Sequence, residues 1–183
     1  MFKIETIVKI DFFILNFIQN NFKCEFLDIA MPFVSKLGNG GFIFILIGIL
    51  LLIKKETRKM ALTILVALLF GLLIGNLFMK PFFARTRPYD INTEIALLIP
   101  KLNDFSFPSG HTLAAFEFAV SVFLYNKRFG ILAVVFAFIM AFSRLYLYVH
   151  FPTDVFAGMI LGSLFAYFSY KIINNVINKN RLC

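Results

Sequence analysis

Residues 60–79, MALTILVALLFGLLIGNLFM, run for a full stretch without one charged side chain. The hydrocarbon core of a bilayer is spanned by ~20 mostly apolar helical residues, because only a helix satisfies its own backbone N–H and C=O groups there. The run therefore predicts a membrane-spanning helix. Residues 129–149 repeat the pattern with Arg144 as their one charge, and residues 155–173 do so with Lys171 near the end, where its stem can carry the ammonium to the interface. Residues 37–53 and 109–126 are shorter and carry glycines or Glu117, and we read them as spans too. Five crossings result, or six if residues 7–22 insert. Residues 1–36 are of another kind, since Lys9, Asp11, Asn16, Lys23, Glu25 and Asp28 interrupt the apolar positions. They predict an amphipathic segment lying at the membrane interface. The expected architecture is an all-α polytopic membrane bundle over residues 37–183, preceded by that segment.

Composition agrees: 60% of residues are hydrophobic, 15% are charged, and mean hydropathy is +0.85. A soluble bundle would need charges spread along its helix faces, whereas here they gather between apolar runs. The net charge of +8 invites a nucleic-acid reading. No basic helix with interleaved aromatics supports it, and juxtamembrane Lys and Arg facing anionic lipid account for the excess. Cys24 and Cys183 lie far apart without metal-ligand spacing, so neither a disulfide framework nor a zinc site is expected. The ending NRLC does not match a prenylation signal, and the N-terminus lacks the cleavage site of a removable signal peptide.

The runs at 54–59 (KKETRK) and 126–128 (NKR) and the tail with Lys171, Lys179 and Arg181 fall on one side of the expected bundle. The positive-inside rule makes that side cytoplasmic. The loop 80–108 and the turn around His150 then face outward, into the extracellular or periplasmic space. Gly71/Gly75 and Gly158/Gly162 form G-x-x-x-G pairs, which predict close helix packing and no chemistry.

Three polar islands share the outward face: KPFFARTRP (80–88), FPSGH (107–111) and SRLYLYVHFPTD (143–154). Taken singly, Lys80, Arg85 and Arg87 read as snorkelling anchors, Pro108 to Gly110 as a turn with Ser109 as helix cap, and His150 with Asp154 as an interfacial pair. Their meeting on one face changes the reading. Arg144 lies inside an apolar helix, and a buried guanidinium needs an anion. Asp154 is one candidate, and an anionic ligand is the other. Lys80, Arg87 and Arg144 together suit the tetrahedral oxygens of phosphate. Ser109, Gly110 and His111 at a helix start add N–H donors and the positive end of the helix dipole. His111 and His150 are the only histidines in the chain. Asp154, four residues after His150, is placed to hold one ring nitrogen and present the other as nucleophile, while His111 can protonate a leaving oxygen. The acids of this face, Asp90, Glu94, Asp104 and Asp154, do not cluster as a two-metal site requires, so metal-free phosphoryl transfer through a phosphohistidine is expected, with no cofactor.

In order, the islands read K-x6-R-P (80–88), P-S-G-H (108–111) and S-R-x5-H-x3-D (143–154). This pattern resembles the type 2 phosphatidic acid phosphatase family of integral membrane lipid phosphatases. The resemblance implies a bundle usually drawn with six spans, and implies roles position by position. Lys80, Arg87 and Arg144 would bind phosphate, and Ser109 and Gly110 would complete its cradle. His111 would be general acid, His150 nucleophile, and Asp154 its orienting partner. Arg85 and Glu117 fall outside the signature: Arg85 reads as a surface anchor rather than a contact to a second phosphate, and Glu117 as a buried acid that pairs or takes a proton. The short chain and outward site suggest the reaction of similar small bacterial members, which convert undecaprenyl diphosphate to undecaprenyl phosphate in the plasma membrane. A phosphatidylglycerophosphate or phosphatidate phosphatase is the alternative, and a lipid phosphotransferase a further one. The partners implied are a lipid phosphate or diphosphate and the surrounding membrane lipids.

Overall fold

A computed structural model describes residues 2–179, with side chains placed for 5–177. Arg181, Cys183 and the side chain of Lys179 lie outside the described residues. Regular structure among these residues is all helical: α1 (Phe2–Phe22), α2 (Glu25–Leu37), α3 (Phe42–Leu51), α4 (Arg58–Phe70), a π-helical stretch (Gly71–Met79), α5 (Lys80–Phe83), α6 (Pro88–Ile91), α7 (Gly110–Tyr125), α8 (Lys127–Tyr146) and α9 (Pro152–Lys179). Helix starts follow local chemistry. Asn126 caps α8 by accepting from the Phe129 N–H at 3.2 Å, and Pro88 and Pro152 open α6 and α9, where a missing N–H costs nothing.

The segments Lys55–Ile91, Lys127–Tyr146 and Pro152–Ile177 are each long and apolar enough to cross a membrane, and the expected polytopic membrane bundle is what forms. The two shorter expected spans differ in detail. The ten residues of α3 rise only about 15 Å, and they reach a spanning length only together with α2, from which they bend by 44°. The bend sits at Gly38 to Gly41, where Gly40 and Gly41 have φ of +59° and +68°. Helix α7 is sixteen residues, about 24 Å. It is central rather than lipid-facing, packed against α4, α8 and α9, so neighbouring helices rather than lipid set its length.

Both G-x-x-x-G pairs do their packing against α7. A Cβ added at Gly162 would lie 2.5 Å from the Leu113 carbonyl oxygen, and one at Gly158 2.9 Å from that of Ser109. From the other side, a Cβ at Gly75 would meet Leu113 at 2.5 Å and one at Gly71 would meet the Glu117 carboxyl at 2.3 Å. The α7–α8 contact uses Ala115, Ala119, Ala137 and Ala141, whose small side chains bring the two axes together.

Residues 5–36 have one apolar and one polar face, and the polar face turns into the protein. On α1, Asp11, Leu15 and Ile18 are buried at helical spacing against α8 and α9, while Ile7, Ile10, Phe13 and Phe17 point outward. On α2, Met31 and Ser35 are buried and Phe26, Ile29 and Phe33 are exposed. Each inward polar group has a partner: Asn16 accepts from the Tyr148 hydroxyl at 2.9 Å, Asp28 accepts from the Tyr146 hydroxyl at 2.6 Å, and Gln19 donates to the Tyr146 carbonyl at 2.7 Å. Apolar faces outward and polar faces inward suit a lipid surround, where an unpaired polar group is costly.

Candidate active site

Among the described residues, two other than glycine adopt left-handed backbone, and each introduces a group of site residues. Ala84 (φ +43°) ends α5 and redirects the chain into Arg85 and Arg87, and Tyr148 (φ +57°) lies two residues beyond α8 and two before His150. Such conformations cost on the order of 1 kcal/mol each and persist where surrounding contacts fix them. Tyr148 is wholly buried, with its hydroxyl held by Asn16 and Asn92.

The three islands meet. Lys80, at the start of α5, and Arg87, just before α6, are both buried and both bind the side chain of Asp104. Lys80 Nζ donates to Oδ2, and Arg87 Nη2 donates to Oδ1 at 2.6 Å. Arg87 also donates through Nε to the Asp104 carbonyl at 2.9 Å and through Nη1 to the Val149 carbonyl at 2.6 Å. That last contact sets Nη1 3.4 Å from His150 Nε2. In the sequence, Asp104 stands out only as one of the acids of this face. The signal available was its place in the same short stretch as P-S-G-H. Partial burial alone would raise the Asp104 carboxyl, but hydrogen bonding and charge from Lys80, then Arg87, hold it down at about 2.

Arg144, wholly buried on α8, donates through Nη1 to the Ser35 hydroxyl, while its Nε and Nη2 have no hydrogen-bond partner. Two unpaired guanidinium donors in the interior are expensive unless an anion completes them. Asp154, the acid the sequence offered as one possible partner for Arg144, is engaged elsewhere.

His150 is buried, its Nδ1 3.6 Å from Asp154 Oδ2, within ion-pair range and too long for a hydrogen bond. Burial first, then the charges of Arg87, Arg144 and Lys80, push its pKa well below the ordinary 6.5. The ring is therefore neutral at pH 7 and keeps a lone pair. Asp154, in the first turn of α9, accepts from the Phe151 N–H at 2.9 Å and from the Ser106 hydroxyl on Oδ2, and from Arg85 on Oδ1. The Phe151 contact is the capping of a helix start, so Asp154 serves the fold as well as the site.

Arg85 is no surface anchor. It pairs with Asp154 and, at 2.7 Å, with Asp11 of α1, and its guanidinium lies 4.0 Å from the centre of the Phe151 ring. Sequence spacing carries no hint of the Asp11 contact, because α1 is distant in the chain. Ser109 also differs from expectation. Its N–H donates to the Asp154 carbonyl at 3.1 Å and its hydroxyl pairs with Thr112 at 3.0 Å, so it ties α7 to α9 instead of presenting donors to a ligand. Gly110 begins α7 beneath Asn76, whose Oδ1 would lie 2.8 Å from an added Cβ. The first N–H groups of α7 have no acceptor within the helix. His111 follows, with Nε2 2.9 Å from Asn39 Oδ1.

A cavity of about 520 Å³ runs from Lys80, Asp104 and His111 to the bundle's flank. Lys80, Asp104, Asn76, Gly110 and His111 line one part, and Ile45, Leu65, Leu68, Leu69 and Leu72 line the rest, with Glu117 on its wall. The Glu117 carboxyl is buried against Gly71 with Oε1 unpartnered. Among the described residues no three His, Cys, Asp or Glu side chains gather as metal ligands would.

The PAP2 superfamily model matches residues 42–178, which contain every signature position. An undecaprenyl-diphosphatase from Sulfolobus acidocaldarius is 36% identical over 143 residues, covering 78% of this chain and 68% of its own. The phosphatidylglycerophosphatase B of Bacillus subtilis is 32% identical over 164 residues, covering 83% of this chain and 77% of its own. The crystal structure of Aquifex aeolicus LpxE superposes with a TM-score of 0.76 at 27% identity, covering 86% of this chain and 93% of that one. Family match, relatives and fold agree: the chain belongs to the PAP2 superfamily and is a membrane lipid phosphatase of a kind that needs no metal.

Proposed function

We propose that the protein hydrolyses the terminal phosphate of undecaprenyl diphosphate, releasing undecaprenyl phosphate, through a phosphohistidine on His150. One observation carries this reading most: three buried cations surround a buried, neutral histidine, and from one of them, Lys80, opens a cavity that turns from polar to apolar. A phosphorylated head on a hydrocarbon tail matches both ends of that cavity. Asp104, held by Lys80 and Arg87 at once, marks where two phosphate oxygens would sit. Arg144 would supply the donors it leaves unpaired, and the first N–H groups of α7, at Gly110, would face a third oxygen. Ser109 would fix that helix start against α9.

His150 Nε2 attacks phosphorus opposite the leaving oxygen, and Nδ1 gains from Asp154 Oδ2 as positive charge develops on the ring, the contact closing from its resting 3.6 Å. His111 gives its proton to the leaving phosphate oxygen. The N–P bond then breaks as water attacks, with His111 taking the proton back. The short basic runs at 54–59 and 126–128 support an outward-facing site, because they lie at the far end of α4 and α8 from Lys80 and Arg144. Thr63, Tyr125 and Asn174 meet at that end.

The name of the archaeal relative favours a polyprenyl diphosphate, and that of the Bacillus relative keeps a glycerolipid monophosphate in view. Phosphate release from each purified lipid separates them. Preference for undecaprenyl diphosphate is the expected result; preference for phosphatidylglycerophosphate or phosphatidate would overturn the substrate, and a phosphorylated acceptor in place of free phosphate would mark a phosphotransferase.

A further inference from the structure

The N-terminal helix carries a carboxylate that the reaction above does not use. Asp11 is 1% exposed, although it sits on a helix whose other face is apolar. Burying a carboxylate is costly unless it is fully bonded, and this one is. Its Oδ1 accepts from the Thr153 N–H at 3.0 Å, and its Oδ2 accepts from the Thr153 hydroxyl and from Arg85 Nη2, both at 2.7 Å. Arg85 in turn donates through Nη1 to Thr153 Oγ1 at 2.7 Å and to Asp154 Oδ1. Asp154 Oδ2 lies 3.6 Å from His150 Nδ1. The connection therefore runs from α1 through Asp11, Arg85 and Thr153 to the carboxylate behind the histidine. Phe12, next to Asp11, packs edge-on against Phe151 at 5.3 Å, on the residue between His150 and α9.

We propose that Asp11 is a positioning residue for this site: it shares the Arg85 guanidinium with Asp154 and so fixes the aim of the carboxylate that faces His150. The proposal rests on the phosphatase reading above. Arg85 carries one positive charge and serves two carboxylates. Without Asp11, Thr153 loses both its acceptors on α1 and the turn after His150 is released. A residue that merely tied α1 to the bundle would affect stability and leave His150 alone.

The test uses the full chain in lipid nanodiscs with Asp11→Asn. It reads kcat and KM for the lipid phosphate the wild type turns over, and the 15N signals of the two imidazoles the chain contains. The expected result is a fall in kcat of about ten- to a hundredfold with KM within threefold, since the lost interaction strengthens only as charge develops. The His150 signals should move and those of His111 should stay. In a cycle with Arg85→Ala, the double variant should lose no more kcat than Arg85→Ala alone, because both act through Asp154. Unchanged kcat with unchanged His150 signals would overturn the proposal, as would signals of both histidines moving together. If Asp11→Asn does not fold, Thr153→Val removes one of the two ties and is judged by the same readouts. The imidazole signals need no turnover, so a wild type inactive on every lipid phosphate would defeat the functional reading while leaving the clamp decided on its own evidence.

Discussion

Lys80 and Arg87 reach opposite oxygens of the same carboxylate, Asp104. Two buried cations seven positions apart in the chain are thus set at the spacing of two oxygens on one anion. The arrangement stabilises both cations in the interior, and it also places an internal competitor where a phosphate would bind. On the proposed placement of the phosphate, loop 92–108, which carries Asp104, would yield for substrate to enter between them.

Asp104→Asn removes that competitor. Vanadate and inorganic phosphate should then inhibit about tenfold more tightly, since the anion no longer displaces a paired carboxylate. Resting stability should drop by well under the ~3–5 kcal/mol that breaking a fully buried pair costs, since the Asp104 side chain is 53% exposed and solvent screens it. Isothermal titration and melting curves, with and without phosphate, check both statements; equal or weaker phosphate binding in the variant counts against this placement of the anion.

Arg87→Lys keeps the charge and loses the fork. Arg87 bridges Asp104, the Val149 carbonyl and the neighbourhood of His150 with four donors, which an ammonium on a flexible stem does not reproduce. A loss of about 10²- to 10³-fold in kcat/KM is expected, the size seen when one donor to a developing oxyanion is removed. Steady-state kinetics on the preferred lipid measures it.

His111→Gln should depend on the leaving group. General acid catalysis is worth about 10²- to 10⁴-fold when the departing oxygen needs a proton, and little when it departs as a stable anion. Hydrolysis of a lipid phosphate should therefore fall much further than hydrolysis of para-nitrophenyl phosphate. Equal losses on the two substrates would remove His111 from the acid role.

The pH dependence follows from two groups outside the spans. His150 has its folded pKa pushed down by burial and by Arg87, Arg144 and Lys80, so kcat/KM should hold up below pH 6.5 and decline only at lower pH, as the ring finally protonates. For stability the sign is this: below 6.5 the unfolded chain binds a proton at His150 that the folded chain does not, so stability falls as pH drops from 6.5 toward the folded value. Asp104, held down at about 2, contributes above its ordinary 3.8 and loses that contribution as pH falls from there toward about 2. Both act in one direction, and acid melting curves should show no stability maximum below pH 6.

Much of this is legible in the sequence alone. Uncharged runs gave the long helices, and K-x6-R-P, P-S-G-H and S-R-x5-H-x3-D brought Lys80, Arg87, Arg144, His150 and Asp154 to one place. What stayed hidden was whatever depends on contacts between distant parts of the chain. Asp11 and Asp28 read as interfacial charges because hydropathy does not say which way a polar face turns; in lipid it turns inward when partners such as Arg85 and Tyr146 await it. Arg85 looked like an anchor since its two acids lie 74 residues before it and 69 after it. Ser109 looked like a phosphate donor because a helix start offers free N–H groups, and the Asp154 carbonyl that takes its own is on another helix. The G-x-x-x-G pairs predicted close packing without naming α7 as the shared partner. Gly162→Ala should destabilise the bundle by about 1–3 kcal/mol, its Cβ meeting a backbone carbonyl that has no side-chain freedom to yield.

Trapping the phosphoenzyme tests the central claim most directly. Wild-type protein mixed with lipid diphosphate labelled with ³²P at the terminal phosphate, and quenched within the first turnover, should carry a label that is stable to alkali and lost in acid, on the peptide containing His150. His150→Ala should carry none and release no phosphate. Turnover that survives in His150→Ala, or a label that resists acid, would contradict the account.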